Sequence, residues 1–207
     1  MSINAFKMDG LGNDFVIIDV RENKINLSEQ QIIKICDRNF LGCDQLILID
    51  KNNEADAQLI FYNSDGSESG ACGNGTRCVA YLISKEMNKK EVNLITKSGK
   101  LYSKILGKNL VETTIGKAKT DWREIPLSKN KNTKNLGIKI EDKNQNIFTG
   151  GTAVNVGNPH TIFFVDNINN FDLEKIGPKL ETSSLYPERC NITPVSYTHL
   201  RAHETDT

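Results

Sequence analysis

A chain of 207 residues, 38% hydrophobic and 25% charged, can bury a sizeable core as one large or two small domains. Lysine and arginine, 26 together, balance 26 aspartates and glutamates, so no net field draws the chain to nucleic acid or an anionic membrane, and a small-molecule partner is expected. The opening MSINAFKMDG has no basic and apolar leader and no apolar run is long enough to span a bilayer, which predicts a cytoplasmic protein.

Residues 3–8 and 15–19 are apolar or alternating runs around the turn-rich DGLGND, which predicts two strands joined by a Gly/Asn/Asp loop. Ser28 with Gln31 three residues on forms a capping box, and Ile32, Ile33, Ile35 and Cys36 follow at helical spacing, so a helix is expected over 28–38. Strands are expected at 45–50 and 59–62. The segment NSDGSESGACGNGTRC is dense in turn formers and passes into VAYLISKE, a buried helix. Short strands at 92–96, 101–106 and 110–115, separated by SGK and GKN turns, complete an α+β pattern with mostly antiparallel pairing.

Residues 117–146 are rich in lysine and asparagine with little apolar periodicity, and the domain boundary is placed at their start, giving 1–116 and 117–193. The second unit should hold a strand at 152–156, a GNPH turn, the β-prone HTIFFV and a helix at 172–180, kinked or split at Pro178.

Five cysteines, Cys36, Cys43, Cys72, Cys78 and Cys190, are odd in number and form no CxxC pair. With three histidines, two of them in the last nine residues, they read as reduced thiols rather than a metal site. Cys72 is followed at once by Gly73, Asn74 and Gly75 where loop gives way to helix. The free N–H groups of a first helical turn lower a thiol's pKa and can hold a carboxylate or phosphate beside it. The alternative is a buried structural cysteine next to an ordinary glycine-rich turn. Cys78, six residues on, faces another direction and is assigned to the core, with Cys36 on a helix face and Cys43 in a loop. His160 in GNPH is either a proton carrier near a thiol or a structurally hydrogen-bonded histidine. Asn13, Gln45 and Asn63, read singly, are ordinary loop and strand-end residues.

Taken together and in order, KMDGLGNDFVIID, GCDQLILI, FYNSDGSESGACGNGTRC, GNPHTIFF, and IGPKLE followed by YPERCNI resemble diaminopimelate epimerase over about residues 1–193. The resemblance implies an α+β diaminopimelate-epimerase-like fold of two similar halves, each with mostly antiparallel sheet around a central helix, the second half here incomplete. It implies catalytic roles for Cys72 and, as modulator of the thiols, His160. Gly73 and Asn74 would serve the substrate α-carboxylate and amine, and Asn13, Gln45, Asn63, Asn158 and Asn191 would line the substrate pocket. No cofactor or metal is implied, and a homodimer is reasonable.

Inverting Cα without a pyridoxal ring takes a base on one face and an acid on the other, for which the family uses two cysteines. The family's second cysteine has no match here, so the chain as written is expected to be inactive. From about Pro194 the run PVSYTHLRAHETDT continues neither the expected strand nor a family motif and reads as a foreign tail, 194–207. The alternatives are another isomerase of this fold, proline-racemase-like or phenazine-biosynthesis-like, or a hydrolase or transferase using Cys72 and His160. A non-enzymatic anion-binding module is disfavoured, because the glycine-rich loop lacks the lysine and Ser/Thr of a P-loop and the spacing of a dinucleotide site.

Overall fold

The computed structural model describes residues 5–196. Ile3, placed in the first strand above, and residues 197–207 with His199 and His203 lie outside the described residues. Contacts divide the chain after Gly116 into two compact units.

In the first unit β1 (Ala5–Gly10) and β2 (Asn13–Asp19) form an antiparallel hairpin. Its two-residue tip, Leu11 and Gly12, has both φ angles positive, 57° and 82°. The Ser28 capping box forms as expected, Ser28 N–H donating to Gln31 Oε1 at 2.8 Å, and starts α1 (Glu29–Cys36). There follow β3 (Gln45–Asp50), β4 (Ala57–Asn63), the short β5 (Glu68–Ser69), α2 (Gly73–Met87), β6 (Glu91–Thr96), β7 (Gly99–Gly107) and β8 (Leu110–Thr114). Among the described residues these strands make one sheet in the order β1-β2-β3-β4-β6-β7-β8, with β5 on β4. Only β2–β3 and β4–β6 are parallel, and these are the pairs whose connections carry a helix. A parallel pair needs a crossover, whereas the tight loops elsewhere make antiparallel neighbours.

Alternation along the central strands divides two cores. Phe15 and Ile17 of β2, Ile47 and Ile49 of β3, and Leu59 and Phe61 of β4 pack with Val79, Ala80 and Ile83 of α2. Their neighbours Val16, Ile18, Leu46 and Leu48 point the other way, to Ile32 and Cys36 of α1. This period of two follows from the pleat. Helix α2 touches β1 and β8, the two ends of the strand order, so the sheet curls around it.

The second unit contains β9 (Ile138–Glu141) paired with β10 (Ile147–Gly150), and a sheet of β11 (Thr152–Asn155), β12 (Pro159–Val165) and β13 (Asn191–Ser196). Helix α3 (Leu173–Glu181) packs on β13. Three expectations are corrected. Residues 117–146, in which no element is placed above, hold the first strand and the turn of a hairpin: Asp142 accepts from the backbone of Asn144 and Asn146, both at 2.8 Å, at the turn, and Ile140 is buried with Phe163 and Val165. Of the two alternatives at Pro178, a split is excluded: helix α3 runs on through it, and Glu174, whose carbonyl a proline four residues on cannot serve, is exposed to water. The strand expected to stop at Thr193 runs on through Pro194 to Ser196, which pair in parallel with Phe163–Val165. Backbone pairing tolerates almost any side chain, so no motif was needed to extend it.

Candidate functional site

The period of two that builds the α2 core also aims three amide side chains. Asn13 lies two residues before Phe15, Gln45 two before Ile47, and Asn63 two after Phe61, so all three project on the α2 side of the sheet. Because β2 and β3 run parallel and β4 antiparallel to them, the starts of the first two and the end of the third share one edge. Gln45 Nε2 donates to Asn63 Oδ1 at 2.9 Å, and Asn63 Nδ2 donates to Ser67 Oγ at 3.1 Å. Gln45 Oε1 is buried and has no partner among the described residues.

Cys72 caps α2 at that edge. Its backbone is extended, φ −144° and ψ 114°, and its Sγ accepts the Gly75 N–H at 3.5 Å. Asn13 Nδ2 stands 3.8 Å from the same sulfur. The helix can come this close only because residue 75 is glycine: an added Cβ would lie 2.6 Å from Ile47 Cδ1, 2.9 Å from Phe61 Cε1 and 3.3 Å from Phe15 Cε1. Those tips belong to residues with no exposed surface, so they have nowhere to move. Gly73 is different, for its added Cβ would meet only Ile115 Cγ2, at 3.7 Å.

The expectation that the helix start leaves Cys72 with a lowered pKa is corrected in sign. Burial pushes the Cys72 thiol up, and outweighs the N–H groups of Gly75 and Asn74 and the charge of Arg77, which pull it down. The resting group is a thiol. Burial raises Cys78 to about 11, and it lies in the core as expected. Cys36 and Cys43 are both buried, their sulfurs 3.4 Å apart, so the loop position of Cys43 did not mean exposure. Cys72 is half-buried, and the other four thiols are buried.

The remaining candidates gather within the second unit. His160 is the second residue of β12 and pairs with Asn191 of β13. Its Nε2 lies 3.1 Å from Asn158 Oδ1, and Asn191 Nδ2 donates to the Pro159 carbonyl at 3.0 Å. Burial lowers the His160 pKa, favouring a neutral ring. Cys190, buried, sits 3.3 Å from Thr161 Oγ1, which also meets Tyr186 Oη at 2.7 Å. Among the described residues no three His, Cys, Asp or Glu side chains converge as for a metal, and no helix is long and apolar enough to cross a membrane.

Sequence reasoning passed over Gly75 as a packing residue and Arg77 altogether. Arg77 Nη2 donates to Asn74 Oδ1, a contact whose only trace in the sequence is the i, i+3 spacing.

The family model described as diaminopimelate epimerase matches residues 5–120. The diaminopimelate epimerase of Pelagibacter ubique (strain HTCC1062) is 66% identical over 193 residues, covering 93% of this chain and 70% of that protein. The chain belongs to the diaminopimelate epimerase family. Diaminopimelate epimerases are isomerases, which gives the enzyme class. The chain spans 70% of the length of the Pelagibacter ubique relative and 63% of that of the Rhodospirillum centenum one. Two solved structures share the α+β epimerase fold. A "Predicted Epimerase" from Pseudomonas aeruginosa superposes with a TM-score of 0.57 at 14% identity, covering 88% of this chain and 68% of that one. A hydroxyproline epimerase from Agrobacterium vitis, with trans-4-hydroxy-L-proline bound, gives 0.53 at 13% identity, covering 87% and 54%. These two proteins share the fold at low identity, whereas the diaminopimelate epimerase of Pelagibacter ubique is 66% identical.

Proposed function

We propose that this chain carries one of the two proton-transfer centres of a diaminopimelate epimerase, which interconverts LL- and meso-2,6-diaminopimelate without a cofactor, on the route to lysine and peptidoglycan precursors. The observation that carries this reading is Cys72 Sγ at the N-cap of α2, bonded by the Gly75 N–H at 3.5 Å and faced by Asn13 at 3.8 Å. As thiolate, Cys72 takes the Cα proton on one face, and a second thiol delivers a proton to the other; in reverse, Cys72 is the donor. The N–H groups of Gly73 and Asn74 bind the α-carboxylate and stabilise charge developing at Cα. A substrate with an amino acid at each end needs polar partners at both. The unpartnered Gln45 Oε1 fits one, as an acceptor for a substrate ammonium. Asn63, Asn158 and Asn191 are proposed as further pocket residues, and neutral His160 as modulator of the thiols.

The four other thiols are buried, so the 207-residue chain by itself should not complete the inversion. The reading is tested by 1H NMR of LL-diaminopimelate in D2O. Residues 1–193 joined to the last part of the Pelagibacter ubique relative should exchange the Cα proton and form the meso isomer. Cys72→Ala in that chimera should slow exchange by about 10²- to 10⁴-fold. A folded, reduced chimera that leaves the Cα proton in place would falsify the proposal, whereas silence from the 207-residue chain alone is expected.

A further inference from the structure

Arg77 is the fifth residue of α2 and stands three after Asn74, so the two side chains share a helix face. A guanidinium has donors and no acceptor, so only the amide oxygen of Asn74 can face it. The contact from Nη2 to Oδ1 therefore fixes which way the Asn74 amide is turned, leaving its N–H groups as the ones offered elsewhere. Arg77 is half-buried, yet among the described residues it forms no ion pair with a carboxylate. No acidic residue occupies the first turn of α2 either. A cation near the positive end of a helix is electrostatically unfavourable. This one adds to the field of the helix end, with no carboxylate paired to it among the described residues, next to a residue that must become an anion in the proposed reaction.

We infer that Arg77 is a positioning residue for proton transfer at Cys72: it holds Asn74 by its amide oxygen and supplies to the mouth of α2, where a thiolate and a carboxylate have to be held, a positive charge that is in no ion pair among the described residues. This rests on the function proposed above. The charged groups acting on the two thiols of α2 are few. Arg77 pulls both Cys72 and Cys78 down, and Asp9 on β1 pushes Cys78 up. Asn13, the side chain from β2 at the Cys72 sulfur, is neutral. Lysine at position 77 would keep the charge and lose the planar fork.

The test is the pH profile of Cys72 alkylation by iodoacetamide in the 207-residue chain, read at Cys72 by fragment-ion mass spectrometry. The other four thiols are buried and this one is half-buried, so it reacts first in the native state. Arg77→Gln should raise the midpoint and slow labelling at pH 8 about three- to tenfold, while Arg77→Lys stays within about twofold of the wild type. A merely structural arginine would lower stability and leave the midpoint alone, so a folded Arg77→Gln chain with the wild-type profile overturns the inference. Should Arg77→Gln fail to fold, salt decides on the wild type. Screening a nearby cation must raise the Cys72 midpoint between 0.02 M and 1 M salt, roughly the range over which the Debye length falls severalfold, and a constant midpoint overturns the role. No substrate enters this readout, so its failure and a failure of Cα exchange are separate results.

Discussion

At the tip of the β1–β2 hairpin Leu11 holds φ at 57° with 90% of its surface exposed. Left-handed backbone costs a side-chain-bearing residue about 1 kcal/mol or more, and this leucine recovers little of it by burial. Leu11→Gly should therefore raise stability by about 0.5–1 kcal/mol, visible as a higher urea midpoint; a lower one would mean that Leu11 makes contacts the hairpin needs. His160 gives a second residue-level expectation. Burial holds its pKa below the ordinary 6.5, so the neutral ring's contribution to stability is present above that value and is lost as pH falls through it toward the folded-state pKa. Wild type should lose more stability than His160→Gln between pH 7.5 and 5.5, and equal losses would contradict the buried-ring account. At this scale the sequence was informative where a residue's surroundings are local. The capping box at Ser28 needed only neighbours three residues apart. The acidity of Cys72 did not follow, because burial by distant strands outweighs the helix end that the local pattern displays.

At the scale of elements, α2 meets the sheet through a glycine. Gly75→Ala would drive a methyl into Ile47, Phe61 and Phe15 and should cost about 1–3 kcal/mol while shifting Cys72. Gly73→Ala has room and should change stability by no more than about 0.5 kcal/mol. Chemical denaturation of the two variants separates these roles, and a tolerated Gly75→Ala would refute the close approach. If Gly73 N–H binds a carboxylate, Gly73→Ala should weaken substrate binding in a chain that remains as stable as wild type. From the sequence alone the two glycines look alike, for both flank Asn74 in one motif, and only the packing of α2 distinguishes them. The β9–β10 hairpin was missed for a related reason. Ile138 and Ile140 are too short a run to display a period, and Ile140 is recognisable as core only once Phe163 and Val165 lie against it.

At the scale of the whole molecule, each core is drawn from one unit. The two clusters around α2 and α1 use only residues before Gly116, and the two others only residues after it. Residues 1–116 expressed alone should therefore unfold cooperatively in urea with dispersed NMR signals. A broad, non-cooperative transition would show that the first unit depends on the rest of the chain.

The α+β class and most strand positions were determined by the sequence itself, while the candidate residues of the Cys72 site came from the family resemblance. Strand period, caps and turn residues act over a few positions and so can be read along a chain. The parity that turns Asn13, Gln45 and Asn63 to one side is of this kind, since it follows from counting two residues from Phe15, Ile47 and Phe61. Only the tertiary structure decided which strands are neighbours, that the ends of β2, β3 and β4 meet the start of α2, and that Cys72 rests protonated. Those outcomes depend on which distant surfaces exclude water from which groups, a property that no stretch of sequence carries by itself.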